Sequence, residues 1–237
     1  MLKFIALNTS IEYGFLGKKE LNLESSGYKN KSSRTIVAKL IDPVLEDISL
    51  VEQKHTNDCH IITQIQSEYP IGDAQITNKK NVPLIVRTAD CVPIVFIDNE
   101  KLIIGIAHAG WRGAISGVIE NTVNQMIRLG SEVKSIFAVI GPCIHQQNYE
   151  VDSEFYKKFI SEMVDNKKHF LPSINEGHYM FALPEYCQNK MSNLGIKNIE
   201  NISSDTFKNP DIWYSHRHST KNGYVRSGDN ISYVVMK

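Results

Sequence analysis

The sequence predicts one domain in which helices cover a β-sheet. Three short, nearly continuous apolar runs follow one another at residues 82–86, 92–97 and 102–107. Each run is too short for a helix and is typical of a strand buried on both faces. A further strand is predicted at 135–140. Because no repeat, low-complexity run or long linker divides the chain, residues 1–237 are expected to form a single domain.

A glycine-rich segment, AHAGWRG, follows the third run and leads into a predicted helix. Gly130 suits the position just after the end of this helix. The order strand, glycine-rich loop, helix, strand places the loop at the carboxyl end of a strand, where sheet proteins commonly bind ligands. Apolar residues at helical spacing form one face of the helix and are Ile115, Val118, Ile119, Val123, Met126 and Ile127.

The remaining segments are predicted to flank the sheet. The stretch 29–40 begins as a polar turn and ends as a helix, and residues 152–164 form another helix. Residues 179–195 are also predicted to be helical, with Gly195 at the end. The C-terminal segment 222–237 ends in an alternating strand.

The composition narrows the class of protein. Lysine plus arginine and aspartate plus glutamate number 26 each, which argues against a generally basic nucleic-acid-binding protein. No apolar stretch has the length of a membrane span and no signal peptide is recognised. The four cysteines form no CxxC pair. Reduced thiols in a cytoplasmic protein are therefore expected, and a functional cysteine would be a metal ligand or a nucleophile.

Three separate motifs offer side chains with affinity for a metal. QKH contains His55, TADC contains Cys91, and AHAGWRG contains His108. Two imidazoles and one thiolate are a known donor set for catalytic zinc, with a fourth position open for water or substrate. No short ligand spacing is present, so the residues by themselves indicate a zinc site without establishing it.

The same residues support two other interpretations. Cys91 could be a nucleophile with His108 or His55 as its base and Asp90 orienting the imidazole. Cys91 could also be a small core residue. Strand alternation would place Asp90 and Cys91 on opposite faces unless the strand has ended. Asp90 is then expected to fix a loop or to accept a hydrogen bond from a ligand histidine.

Candidate anion-binding residues lie in two places. Arg112 stands at the start of the predicted helix, where backbone N–H groups and a guanidinium favour an anion. Arg217 belongs to a polar segment at 213–226, which reads either as a solvated loop or as a substrate clamp. That segment includes His216, Arg217, His218 and Arg226. Structural or pocket-lining roles are expected for Cys143, His145 and Tyr149.

The ordered set QKH, GDAQIT, TADCVP, AHAGWRG, IGPCI and YSHR closely resembles the laccase-domain family over roughly residues 10–235. The resemblance implies an α+β fold with layered mixed β-sheets and flanking helices. It implies zinc held by His55, Cys91 and His108, with zinc favoured over copper. It also implies phosphorolysis of adenosine, inosine and methylthioadenosine, with adenosine deamination as a further activity.

Three positions depart from the pattern of the family. Asp229 follows Gly228 where the family usually has Gly-Arg, Ala182 stands where an Asp is common, and Asp205 stands where a Cys is usual. These changes leave the three metal-binding positions intact. They alter the predicted surroundings of the substrate.

The leading hypothesis is a zinc-dependent purine nucleoside phosphorylase and adenosine deaminase. His55, Cys91 and His108 would be both metal ligands and catalytic residues, and Arg112 and Arg217 would bind substrate. The expected partners are a purine nucleoside and phosphate, with no nucleic acid, membrane or obligate protein partner. The alternatives are a peptidoglycan editing hydrolase, a copper-dependent polyphenol oxidase and a non-catalytic metal-binding protein.

Overall fold

The computed structural model describes residues 2–5, 10–21, 30–66, 68–225 and 227–237. Within these residues the chain forms thirteen strands and six α-helices. The strands are β1 (Leu2–Ile5), β2 (Ile11–Leu16), β3 (Cys59–Ile61), β4 (Ala74–Thr77), β5 (Leu84–Thr88), β6 (Val92–Asp98), β7 (Ile103–Ala109), β8 (Ile136–Ile140), β9 (Glu150–Asp152), β10 (Phe170–Pro172), β11 (His178–Phe181), β12 (Asn198–Asn201) and β13 (Asn230–Met236). The helices are α1 (Lys31–Ile41), α2 (Trp111–Ser116), α3 (Val118–Arg128), α4 (Ser153–Glu162), α5 (Leu183–Asn193) and α6 (His216–Lys221).

The described strands form three sheets. A four-stranded sheet has the order β1-β2-β13-β5, and a three-stranded sheet has the order β10-β11-β9. A six-stranded sheet has the order β12-β8-β6-β7-β4-β3. The six-stranded sheet is mixed, because β12 runs parallel to β8 and β3 parallel to β4 while the inner pairs are antiparallel. The predicted α+β class with mixed sheets and flanking helices is therefore confirmed.

The four- and six-stranded sheets pack face to face. Their facing sides share a buried cluster that includes Phe15 from β2, Val86 from β5 and Ile106 from β7. Helix α1 covers the outer face of the four-stranded sheet. Helices α3, α4 and α5 cover the outer face of the six-stranded sheet. This layering explains why the central strands are apolar on both sides.

The side chains of strand β6 alternate between two buried clusters. Val92, Ile94 and Phe96 belong to the cluster beneath the helices, while Val95 and Ile97 belong to the cluster between the two sheets. Successive side chains of a strand point to opposite faces, so a strand between two packed layers needs apolar residues at every position. The continuous run VPIVFI predicted this correctly.

The helix predicted after AHAGWRG is divided into two. Gly117 adopts a φ of +97°, in the left-handed region, and separates α2 from α3. Glycine adopts this conformation at little cost. The apolar residues keep their helical spacing on both sides of Gly117, and the spacing therefore does not reveal that the helix is interrupted there. Gly130 follows α3 with a φ of +112°, as the prediction for the helix end requires.

The prediction of one helix over residues 179–195 was wrong in its first part. Residues 178–181 form β11, which pairs with both β9 and β10. The helix begins only at Leu183 and carries Pro184 in its first turn. Proline is favoured there because its missing N–H would have no partner within the helix.

Other predicted elements agree with the structure to within a few residues. Strands β6, β7, β8 and β13 and helices α1 and α4 lie within or beside their predicted ranges, and β5 lies two residues later than expected. None of the helices among the described residues is long and apolar enough to cross a membrane.

Candidate active site

The predicted metal-binding residues come together where the chain passes between the sheets. Cys91 lies in the bend between β5 of the four-stranded sheet and β6 of the six-stranded sheet. His108 lies near the end of β7, and His55 lies in the loop before β3. One ligand atom from each residue lies within 4.8 Å of the others.

The three side chains face one another closely. Cys91 Sγ lies 3.8 Å from His55 Nε2, and the rings of His55 and His108 meet edge to face with centroids 4.8 Å apart. Gly110 leaves room for them. A Cβ at Gly110 would lie 2.5 Å from His55 Cδ2 and 3.0 Å from Cys91 Sγ.

Asp73 positions both histidines. Its fully buried carboxylate accepts a hydrogen bond from His108 Nδ1 at 2.7 Å. It also accepts hydrogen bonds from the backbone N–H groups of Lys54, His55 and Thr56 and from Thr56 Oγ1. The loop bonds hold His55 in a left-handed conformation with φ +60°. The bond to His108 leaves Nε2 of that ring for a metal, which is the usual carboxylate–histidine–metal arrangement.

The charges of Cys91, His108 and Asp73 stabilise one another. Burial alone would raise the pKa of the Cys91 thiol, but the charge and hydrogen bond of His108 and a hydrogen bond from His55 lower it to about 6. Burial alone would lower the pKa of His108, but the Cys91 thiolate and Asp73 raise it to about 9. Burial would also raise the pKa of Asp73, but His108 and Thr56 lower it to about 2. The mutual attraction therefore favours the thiolate of Cys91 and the protonated imidazole of His108 over their neutral forms.

Cys91 should therefore be the reactive thiol of the metal-free protein. Because the thiolate is the nucleophile, its alkylation by iodoacetamide should rise with a midpoint near pH 6. The other three cysteines are buried, and burial raises their pKa values, so they should stay unlabelled while the protein is folded. Peptide mapping by mass spectrometry measures both. A midpoint at the pH of an ordinary thiol, or equal labelling of another cysteine, would contradict this assignment.

Asp90 fixes the neighbouring segments. The expectation that strand alternation separates Asp90 from Cys91 was wrong, because both precede β6 and both line one cavity. Asp90 adopts a left-handed φ of +93°. Its carboxylate accepts hydrogen bonds from Thr206 Oγ1 and from the backbone N–H of Arg217. The loop-fixing role expected for Asp90 agrees with these contacts, and the carboxylate that orients a histidine is Asp73 instead.

A cavity of about 410 Å³ is lined by two of the three donors, His55 and Cys91. Trp111 and Tyr149 supply aromatic walls, and Leu183 and Ile144 supply apolar ones. Trp111 is supported from behind by Phe155, whose ring centroid lies 4.8 Å away. The cavity is therefore large enough for a small organic molecule and is mostly apolar with a few polar groups, as ligand sites commonly are.

Both predicted substrate-binding arginines line this cavity. The guanidinium of Arg112 lies over the ring of Trp111 at 4.3 Å, and that of Arg217 lies over the ring of Tyr149 at 5.4 Å. Arg217 Nη1 also donates to the backbone oxygen of Glu150 at 2.8 Å. Stacking and hydrogen bonding limit the rotamers of both side chains and keep positive charge at the cavity wall.

The other candidates divide between the cavity and the core. The segment predicted as a loop or a clamp forms α6, and His216 at its start lines the cavity. His218 contacts Phe207, and Arg226 lies outside the described residues. Cys143 is fully buried and unpaired with another cysteine, which agrees with the structural role expected for it.

Residues 23–237 match the protein family described as multi-copper polyphenol oxidoreductase laccase. The chain belongs to this laccase-domain family. The laccase domain is 45% identical over 197 residues to purine nucleoside phosphorylase RP494 of Rickettsia prowazekii strain Madrid E, covering 81% of this chain and 79% of the relative. It is 39% identical over 136 residues to adenosine deaminase RL5 of an unknown prokaryotic organism, covering 54% and 52% of the two chains.

The fold of the laccase domain is shared with a solved structure. The hypothetical protein YfiH of Bacillus licheniformis superposes with a TM-score of 0.82 at 28% identity, covering 96% of this chain and 93% of that one. The predicted resemblance to the family is thus confirmed.

Sequence reasoning missed the role of Asp73 in this laccase domain. The residue belongs to the motif GDAQIT and lies just before β4, and the only signal in the sequence was an acidic residue within that motif. Its partners are 17 to 35 positions away along the chain. Only the folded chain brings them to one carboxylate.

Proposed function

We propose that this protein is a zinc-dependent purine nucleoside phosphorylase acting on adenosine, inosine and methylthioadenosine, with adenosine deamination as a further activity. The observation that carries the proposal is the grouping of His55, Cys91 and His108, two of which, His55 and Cys91, line a cavity with aromatic rings and arginines. The R. prowazekii relative is named as a purine nucleoside phosphorylase.

The donor set fits zinc. Two imidazoles and a thiolate are ligands that Zn²⁺ accepts, and three protein ligands leave one position open. Asp73 fixes the tautomer of His108, and the low pKa of Cys91 favours the thiolate that a metal needs. A zinc ion held here would supply Lewis acidity next to the substrate.

The cavity of about 410 Å³ suits a purine nucleoside. The aromatic faces of Trp111 and Tyr149 suit a planar base, since aromatic rings stack favourably. Arg112 and Arg217 place positive charge beside them, which suits the electron-rich atoms of a purine and a negatively charged co-substrate. The volume of about 410 Å³ lies in the usual range for sites that bind small organic molecules.

Phosphorolysis exchanges one bond for another at C1′ of the ribose. The bond from C1′ to N9 of the purine breaks, and its electron pair goes to the purine, which also takes up a proton. A phosphate oxygen supplies the electron pair of the new bond to C1′. The residues of the site would contribute mainly by holding both reactants and by excluding water from the apolar part of the cavity.

Adenosine deamination is the second activity of the proposal. It is supported by the relative RL5, which is named as an adenosine deaminase and matches just over half of this chain. In that reaction water replaces the amino group at C6 of the purine, and ammonia leaves.

Metal analysis followed by product analysis tests the proposal. Purified protein should contain about one zinc per chain, and adenosine with phosphate should give adenine and ribose 1-phosphate, separated by HPLC. Inosine among the products would support deamination. Cys91→Ala should lose both zinc and turnover, whereas Cys187→Ala, which removes a buried thiol from α5, should keep both.

Three results would contradict parts of the assignment. Stoichiometric zinc with no change in any nucleoside would reject phosphorolysis and favour an editing hydrolase or a binding protein. Copper with oxidation of phenols would favour a polyphenol oxidase. Full activity of Cys91→Ala would show that the metal ligands were assigned wrongly.

A further inference from the structure

The phenolic hydroxyl of Tyr149 is a polar group at the wall of the proposed nucleoside cavity. Tyr149 lines this cavity together with His55 and Cys91. Its ring meets Phe155 edge to face and lies tilted against Phe181, with centroids 6.2 and 5.9 Å away. These aromatic contacts limit the orientations of the ring and hold the phenol at a defined place on the wall.

The hydroxyl of Tyr149 lies near the charged residues of the same cavity. Burial raises the pKa of Tyr149, the charge of Cys91 raises it further, and the charge of Arg217 opposes the rise. Smaller effects in the two directions come from Asp90 and Arg112. Because such effects fall off with distance, the phenolic oxygen lies near these four residues, which all line the cavity. The raised pKa keeps the hydroxyl protonated at neutral pH, so it can donate a hydrogen bond.

No residue that the structure describes accepts a hydrogen bond from this hydroxyl. Other buried tyrosines behave differently, since Tyr186 donates to Glu162 Oε2 and Tyr214 to the backbone oxygen of Leu21. The polar groups of a ligand cavity commonly orient the ligand and determine its specificity. A donor at the cavity wall without a protein partner is therefore available to the substrate.

We propose that the hydroxyl of Tyr149 donates a hydrogen bond to N7 of the purine and stabilises the purine as it leaves. This inference rests on the proposed phosphorolysis and assigns one residue to the leaving group. The hydroxyl lies in the plane of its own ring, so the contact places Tyr149 at the edge of the base. Trp111 is then the wall on which the base stacks.

N7 is an acceptor that all three proposed substrates share. Adenosine and methylthioadenosine carry an amino group at C6, which donates, whereas inosine carries a carbonyl oxygen there, which accepts. A contact at C6 would therefore favour one kind of base over the other. N7 accepts a hydrogen bond in both kinds, so a donor at N7 accommodates all three substrates.

The contact also suits the charge that develops during phosphorolysis. When the bond from C1′ to N9 breaks, its electron pair spreads over the five-membered ring of the purine and reaches N7. A donor already aimed at N7 stabilises this charge as it forms. Tyr149 keeps its proton in this step. The proton that the purine takes up is the one that hydrogen phosphate releases when a phosphate oxygen forms the bond to C1′.

The binding of inosine and two analogues tests the contact. The zinc-loaded protein is titrated calorimetrically without phosphate, and inosine is used because it lacks the amino group that deamination would remove. Replacing N7 by C–H in 7-deazainosine should weaken binding about five- to tenfold, the effect of about one hydrogen bond. The matched analogue 3-deazainosine keeps N7 and should bind like inosine.

Tyr149→Phe should lose the preference for inosine over 7-deazainosine, because a coupling disappears when either partner is removed. A purely structural role of Tyr149 would weaken the binding of both ligands equally. The control Tyr156→Phe removes the hydroxyl of a ring that stacks on Tyr179 and does not line the cavity. It should keep the preference.

The leaving group provides a kinetic test of the same contact. Tyr149→Phe should lower kcat for inosine about a hundredfold, the effect typical of removing one donor to a developing charge. The base of 7-methylinosine is already positively charged and leaves without accumulating negative charge. Tyr149→Phe should therefore cleave 7-methylinosine about as fast as the wild type does.

Equal binding of inosine and 7-deazainosine by the wild type overturns the inference, and this comparison needs no variant. An absence of inosine binding, a loss confined to 3-deazainosine, or a preference that survives in Tyr149→Phe also overturns it. If the preference depends on Tyr149 but inosine is never cleaved, the contact stands and the proposed phosphorolysis is rejected. If inosine is cleaved without any preference for N7, phosphorolysis stands and the contact is rejected.

Discussion

Replacing Asp73 with Asn is expected to weaken zinc binding by about ten- to a hundredfold, the range typical of residues that orient metal ligands. The carboxylate accepts five hydrogen bonds, from His108, from three consecutive backbone N–H groups and from Thr56 Oγ1. An amide offers one accepting oxygen instead of two. Either His108 or the loop that carries His55 must lose its partner.

The same substitution should also destabilise the fold. A buried donor left without a partner costs about 1–3 kcal/mol, and Asp73 is fully buried. Its low pKa of about 2 means that the carboxylate is ionised at neutral pH and favours folding there. That contribution is complete above the ordinary Asp pKa near 4 and is lost as the pH falls through about 2.

Zinc affinity is measured by competition with a chelator, and stability by urea unfolding of the metal-free protein. Asp58→Asn is the matched control, since Asp58 lies in the same loop and is exposed. It should change neither quantity appreciably. Wild-type zinc affinity in Asp73→Asn would show that Asp73 does not position the ligands.

Gly110→Ala is expected to reduce turnover by about a hundredfold or more, the scale associated with a displacement of about 1 Å in an active site. The backbone at Gly110 has φ −67° and ψ 161°, which alanine adopts without strain. The added Cβ would nevertheless meet His55 Cδ2 at 2.5 Å and Cys91 Sγ at 3.0 Å. The two ligands must therefore move apart although no donor atom has been removed.

Gly130→Ala separates a defect of the site from a defect of the fold. An added Cβ meets nothing within 4 Å at Gly130, but the backbone φ of +112° is unfavourable for alanine. We expect Gly130→Ala to lower the unfolding midpoint and to retain zinc and turnover per folded molecule. Gly110→Ala should instead lose turnover and zinc while its unfolding midpoint stays close to that of the wild type. Normal zinc content and turnover in Gly110→Ala would mean that the ligands can give way without loss.

Much of the architecture could be predicted from local patterns. The apolar runs that form β6 and β7 indicate burial on both faces, because a strand between two packed layers has no solvent-exposed side. The prediction of a helix over 179–195 was wrong in its first part, because residues 178–181 pair with strands that the local sequence does not identify. The break at Gly117 was missed for a similar reason, since the apolar period continues across it.

By itself, the sequence determined the chemistry available to this protein. The motifs carrying His55, Cys91 and His108 indicate a metal centre, and the residue types alone specify its donor set. The tertiary structure alone decided how that chemistry is used. Asp73 became a positioning residue and Asp90 a loop support. These roles depend on contacts between distant segments, and such contacts exist only once two sheets pack and the chain crosses between them.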